Sequence, residues 1–488
     1  MTRSAADAKP SRVARVVVWT LPLFNVAIAI VTQLVVPRML QLGLSEADYT
    51  VYVGLTSVAA YVGLGEGGVL VSLLRELSRL HGAYDLAGFA AEARRSRRLF
   101  AVAATIGGVL ASVALSSQAT LVTGRPTLFL AGALGLVAAA MLELALGSFQ
   151  AAMLFATGRY LAGQLFGTVS VVAPLGALTA ALLLTRSLTA AVWAQALTTM
   201  ALSLARGVHG AILLRRETRA VESSPKPAPL GTVVGPGALL KLAEVLQSAS
   251  FPHLLTVLAP WVVPGAIPAR TYANATRLVT QQFVNLLQVH VTRGLAGDDS
   301  ARAQARENYA VAATFLTSLQ LLELAGAAAL ASTVFAVWLP NQAEHVATLL
   351  PFMLAWQALL AACLPADILF VAAGHMRLLG LVRLGSTALG LVAVGLATGP
   401  LGRGALGFGL ALAALPLAAF GLWGELTLLK SDAPPREVTV RRYGLAFAAA
   451  LGCVVFRERP MLAVATCALA ALPGLPSSIR GVRRLLKR

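Results

Sequence analysis

Between Arg270 and Arg293, the side chains of Arg270, Asn274, Arg277, Gln281, Asn285, Gln288 and Thr292 follow one another at steps of three or four residues. That spacing places them on one face of an α-helix, with Leu278, Val279, Phe283, Leu286 and Leu287 on other faces. Such a face offers hydrogen bonds and positive charge. Hydrophobic spans flank the segment, so the helix belongs inside a membrane bundle. There a stripe of amides and guanidinium groups is tolerated only where it meets water or other polar groups. The expectation is a helix lining a solvated cavity, with Arg277 about 12 Å along it and near mid-depth.

Other polar residues inside apolar runs qualify this expectation. Lys241 and Glu244 are three apart, and Gln247 and Ser248 continue their side of the helix. A local helix pair explains Lys241 slightly better than substrate contact does. Pro252 is expected to kink the same helix. Glu66, Glu143 and Asp367 are candidates to bind a coupling ion, H+ or Na+, because desolvation raises carboxylate pKa values. Partnering an arginine is an equal alternative for each, and Arg277 itself has the alternative of a structural ion pair with Glu143 or Glu66. Arg206 and Arg383 are expected to snorkel from the ends of their spans. Asn25 and Gln33 share a face of the first span. Gly63-Leu64-Gly65-Glu66-Gly67-Gly68 satisfies G-x-G-x-x-G formally, but within a membrane span its glycines serve close helix packing. No serine elbow, paired Cys or His metal spacing or Walker loop is present, so no enzyme, metal or organic cofactor is expected. Cys363, Cys453 and Cys467 read as small apolar packing residues, and Asp298-Asp299 as a solvated pair in a loop.

The elements that position these residues follow from composition. Of 488 residues 57% are hydrophobic and 12% charged, whereas a soluble protein carries roughly a quarter charged. Apolar runs of helical length occur at Val16–Pro37, Val51–Leu74, Leu99–Leu115, Leu128–Ala156, Leu161–Leu184 and Leu188–Leu214. After a proline-bearing linker they resume at Ala238–Val263, the striped helix, Tyr309–Leu339, Val346–Ala373, Leu378–Ala397 and Ala405–Leu429. Two shorter runs, Tyr443–Phe456 and Met461–Leu475, follow. The chain is therefore expected to be an all-α polytopic membrane protein of about fourteen transmembrane helices. The expected division is a six-helix bundle over 1–214, a cytoplasmic linker over 215–237, a second six-helix bundle over 238–429, and two extra short helices with a basic tail over 430–488.

Charge sets the expected orientation. Arg75, Arg79, Arg94, Arg95, Arg97 and Arg98, then Arg215, Arg216, Arg219 and Lys226, then Arg293, Arg302 and Arg306, all fall on one side, as do Lys430, Arg436, Arg441 and Arg442 and the basic residues from Arg480 onward. The positive-inside rule makes that side, and both termini, cytoplasmic. The net charge of +18 is explained by topology and the anionic inner leaflet, not by nucleic acid. The outward loops are short, which excludes a large extracytoplasmic catalytic domain. Leu154–Arg159 and Leu369–Gly374 echo one another near the ends of the fourth and tenth spans. An even number of spans per repeat implies two parallel bundles related by a pseudo-twofold axis, with a site between them.

Asp48-Tyr49-Thr50-Val51-Tyr52-Val53-Gly54-Leu55, Tyr61-Val62-Gly63-Leu64-Gly65-Glu66-Gly67-Gly68 and Tyr272-Ala273-Asn274-Ala275 resemble segments of the Wzx-type polysaccharide flippases. That family belongs to the multidrug/oligosaccharidyl-lipid/polysaccharide exporter superfamily. Glu66 stands where the family usually has aspartate, and the proline often found late in its eighth span is missing before Arg293. The resemblance implies alternating-access translocation of a polyprenyl-diphosphate-linked oligosaccharide across the cytoplasmic membrane for cell-surface polysaccharide synthesis. Membrane lipids are expected partners, and polysaccharide-synthesis enzymes would dock on the inner loops. Arg277 would hold the diphosphate, because a guanidinium fork suits phosphate oxygens. Arg270, Asn274, Gln281, Asn285 and Lys241 would complete the substrate path. A multidrug or lipid II exporter on the same fold is the alternative; a membrane glycan polymerase or glycosyltransferase is the more distant one.

Overall fold

The computed structural model describes residues 28, 35–66, 70, 73, 76–77, 80–81, 85–120, 122–218, 230–258, 260–277, 280, 299–373, 375–401, 404–428 and 436–476. Among these the regular secondary structure is helical throughout. The helices are α1 Glu46–Ala60, α2 Leu86–Ser116, α3 Pro126–Ala156, α4 Tyr160–Thr185, α5 Leu188–Glu217, α6 Leu230–Leu258 and α7 Val263–Ala275. They continue with α8 Asp299–Trp338, α9 Ala343–Ala372, α10 Met376–Leu401, α11 Ala405–Leu428, α12 Arg436–Val455 and α13 Pro460–Ala471. Among the described residues nine helices are long and apolar enough to cross a membrane, and Pro460–Gly474 adds a shorter apolar one. The chain is a multi-pass membrane protein. Most of the first expected span lies outside the described residues; the second, seventh and eighth correspond to α1, α6 and α7.

Local chemistry fixes the helix ends. Ser45 caps α1 by accepting from the Asp48 amide at 3.1 Å, and Asp85 caps α2 by accepting from the Gly88 amide at 2.8 Å. α3 ends at Gly158, whose φ of 74° suits a residue without Cβ, and the Arg159 amide then donates to the Leu154 carbonyl at 2.8 Å. The His375 amide donates to Phe370 O at 2.8 Å, the same wrap at the end of α9. Beyond α1 the chain tightens into a 3₁₀ turn, Tyr61–Glu66. A Cβ on Gly65 would meet Ala103 O and one on Gly107 would meet Val62 O, so this turn lies backbone-to-backbone on α2. Gly63 and Gly65 of the glycine-rich stretch therefore pack helices closely, as its setting implied.

Packing sorts the helices by depth. α1–α5 contact mainly one another, as do α6–α13. α9 is the central helix of the second group: 83% of its membrane-length window is buried, against 17% for α4, which faces outward. α12 and α13 lie on α9 and α8 respectively. Arg442 of α12 donates to the buried Glu425 of α11, and Tyr443 Oη donates to the same carboxylate at 3.1 Å. The sequence had placed Arg442 in a cytoplasmic loop, but here it ties α12 to α11.

The two groups meet where α6 lies along α1 and the Tyr61–Glu66 turn, and touches the residues just past α2. Gln118 Nε2 donates to Thr256 Oγ1 at 3.0 Å and faces His253 Nδ1 at 3.1 Å; Ser117 Oγ faces His253 Nε2 at 3.0 Å. Further bonds gather at the end where α1 starts: Gln41 Nε2 to Pro264 O at 2.9 Å, and Gln342 Nε2 to Glu46 Oε1 at 2.6 Å.

Candidate functional site

α6 has two working faces. Val245, His253 and Thr256 face the first group, with Val245 against Gly63. Glu244 and Ser248 point instead into a cavity of about 450 Å³ enclosed by α6, α7, α9, α10 and α11. Its polar lining is Glu244 and Ser248 of α6, Arg270 and Asn274 of α7, Arg277 just beyond α7, Asp367 of α9 and Arg383 of α10. The sequence placed the site between the bundles. Among the described residues this cavity is walled by the second group alone, because another face of α6 is spent on α1 and the Tyr61–Glu66 turn.

The striped helix is also not continuous as expected. α7 starts at Val263 and ends at Ala275, followed by a turn in which Thr276 N bonds Ala273 O at 3.3 Å and Arg277 N bonds Asn274 O at 3.2 Å. The Thr276 hydroxyl donates to the same Ala273 carbonyl at 2.7 Å, competing with the helical ladder. Counted from Val263, Arg277 lies about 20 Å along the chain axis, against about 12 Å counted from Arg270. Thr280 Oγ1 donates to Glu323 Oε1 of α8 at 3.1 Å and fixes the chain beyond the turn. Gln281 and Asn285 lie outside the described residues, as do Asn25 and Gln33.

α9 is shaped to present Asp367. Pro365 removes the amide that would bond Ala361 O, and the Thr317 hydroxyl of α8 fills that carbonyl at 3.0 Å. Asp367 accepts from Arg383, which also stands 3.5 Å from Glu244 Oε1. Arg383 therefore does not snorkel; it bridges α10 to α9 and α6. Gln357 Nε2 donates to Asn274 Oδ1 at 2.8 Å, and Arg270 Nη1 donates to Ser248 O at 3.4 Å. The Arg277 guanidinium has no hydrogen-bond or ion-pair partner among the described residues, and neither Glu143 nor Glu66 lines its cavity. Three guanidinium groups thus face two carboxylates around the cavity, both of them engaged by Arg383. Arg270 is engaged with Ser248 O, so the guanidinium left for a ligand is that of Arg277, which equips the cavity to hold an anion.

The remaining expected residues fall elsewhere. Lys241 belongs to α6, its side chain outside the described set; Glu66 is buried in the Tyr61–Glu66 turn, away from this cavity. Glu143 accepts from Arg206, a buried residue and not a snorkelling one. Gln357 and Trp356 were missed. Gln357, Leu360, Leu364 and Asp367 repeat at three and four residues, so the face of the tenth span that Asp367 occupies was open to the same test that found Arg277.

No family model matches the chain, and no curated protein matches it in sequence. Solved structures do match in fold. A mutant of the Vibrio cholerae MATE transporter VcmN superposes with a TM-score of 0.54 at 15% identity, covering 86% of this chain and 96% of that one. The lipid II flippase MurJ in an inward closed conformation gives 0.54 at 9% identity, over 97% and 100% of the two chains. A MATE transporter in complex with MaD5 gives 0.50 at 14% identity, over 84% and 95%. The chain has the fold that these transporters and this flippase share.

Proposed function

We propose that the chain is a flippase that carries a polyprenyl-diphosphate-linked oligosaccharide across the cytoplasmic membrane by alternating access, with both termini inside. The observation that carries this is Arg277, a guanidinium in a membrane-embedded cavity with no partner among the described residues. An unpaired arginine in that setting is costly and is retained where an anionic ligand supplies the missing partner. Arg270 and Asn274 extend the donor surface along α7, while the glycan would follow the solvated path and the lipid tail the bilayer. A coupling ion at Asp367 would compete with Arg383, which already holds that carboxylate. The surplus of guanidinium groups disfavours the cationic drugs that a multidrug exporter takes. Polysaccharide-synthesis enzymes would dock at the basic inner loops.

Proteoliposomes separate the two. Purified protein should translocate a polyprenyl-diphosphate-linked oligosaccharide and leave a cationic dye such as ethidium where it is. Movement of ethidium without movement of the glycan lipid would make the chain a drug exporter.

A further inference from the structure

An arginine that already has partners joins a binding site only if those partners can let it go. The chain offers both cases. Arg442 and Glu425 are sealed between α11 and α12, with side chains 5% and 0% exposed. Arg383, Asp367 and Glu244 are 20%, 22% and 45% exposed and open into the same cavity as Arg277. Asp367 takes one nitrogen of Arg383, and Glu244 lies at the outer limit of a hydrogen bond, 3.5 Å from the other. The guanidinium fork retains donors beyond these two contacts. A diphosphate placed against Arg277 enters beside this pair and carries more charge than either carboxylate. It repels both carboxylates while attracting the guanidinium between them.

We propose that Arg383 is a second ligand for the anionic headgroup, lent to Asp367 and Glu244 until a diphosphate group enters and takes it from them. This rests on the cavity being a diphosphate site, as set out above, and goes beyond it by assigning an exchange. Its consequence is mechanical as well as electrostatic. Glu244 sits on the α6 face opposite Val245, His253 and Thr256, the residues that meet the first group of helices. Release of Arg383 therefore removes the charged tie between α6 and α10 beside the face on which α6 joins the two groups, while the close packing of Gly380 on Leu239 keeps the two helices together.

Isothermal titration of the full-length protein in nanodiscs tests the exchange, with inorganic pyrophosphate in one arm and farnesyl diphosphate in the other. Arg383→Gln should weaken binding about tenfold, the loss expected for a charge-assisted contact. Asp367→Asn should strengthen it several-fold, because the competitor for Arg383 has lost its charge. A merely structural Arg383–Asp367 bridge predicts the opposite sign, and Asp367→Asn keeps the outcome decisive even if Arg383→Gln does not fold. Binding of pyrophosphate as well as farnesyl diphosphate supports a site that reads the headgroup alone; binding of farnesyl diphosphate only supports one that reads it on a lipid. If Arg277→Gln abolishes binding while Asp367→Asn weakens it or leaves it unchanged, the exchange is wrong and the diphosphate site stands. If the wild-type protein binds neither probe, both are wrong.

Discussion

Two arginines deep among apolar helices, Arg206 in the first group and Arg277 in the second, have opposite surroundings. Arg206 donates to Glu143, to Gln150 Oε1 at 2.8 Å, to Ser170 Oγ at 2.9 Å and to Gly147 O at 2.8 Å. Ser203 Oγ holds the second oxygen of Glu143 at 2.8 Å, and the Gln150 amide meets His209 Nδ1 at 2.8 Å. The network is built where α3 widens into a π-helical turn over Glu143–Gly147. Nearly every donor is used, so Arg206 is a cross-brace among α3, α4 and α5. Arg277 has volume in front of it and no partner among the described residues. A charge at membrane depth is therefore not a site in itself. Unmet hydrogen-bonding capacity beside open volume is what separates binding from bracing.

Breaking the brace should have the largest effect on stability. Arg206→Ala leaves Glu143 without its cation and should cost about 3 kcal/mol, the low end for a broken buried pair because Glu143 is a third exposed. Thermal unfolding in detergent reads this as a clear fall in Tm. Ser203→Ala removes one neutral-to-charged hydrogen bond from the same network and should cost about 1.5 kcal/mol in the same assay. Arg277→Ala should change stability by less than about 0.5 kcal/mol, since no bond among the described residues is lost. A fall as large as that of Arg206→Ala would erase the contrast. Cysteine accessibility sharpens it further. With Cys363, Cys453 and Cys467 replaced, Asn274→Cys should react with a membrane-impermeant maleimide once the cavity opens to water, and Ser203→Cys should stay protected. Equal labelling would mean that both regions are equally wet.

Much of this was legible in the sequence. Apolar run lengths gave the helices, and the three-and-four spacing of Arg270, Asn274 and Arg277 gave the face that lines the cavity. What was hidden is tertiary. Arg206 and Glu143 lie on different helices, the one read as snorkelling and the other as a candidate ion ligand; only their meeting shows that they cancel. Arg383, with Glu244 and Asp367 on two further helices, was misread as snorkelling for the same reason. α4 and α9 are similarly apolar, yet one is peripheral and the other central, because hydropathy reports the preference for a dry surrounding and lipid and protein both supply it. The break after Ala275 depends on where the Thr276 hydroxyl bonds, a choice that residue type leaves open. The location of the cavity turned on which face of α6 meets α1, and that depends on the close approach at Gly63 and on the Gln118 contacts.

In the proposed function Arg277 holds the anionic headgroup of the transported lipid. Translocation of a polyprenyl-diphosphate-linked oligosaccharide in proteoliposomes, measured for wild type and Arg277→Ala at matched Tm, tests it most directly. A loss of at least about tenfold in rate, the value of one charge-assisted contact, is predicted. An unchanged rate in a protein that moves the wild-type substrate would contradict it.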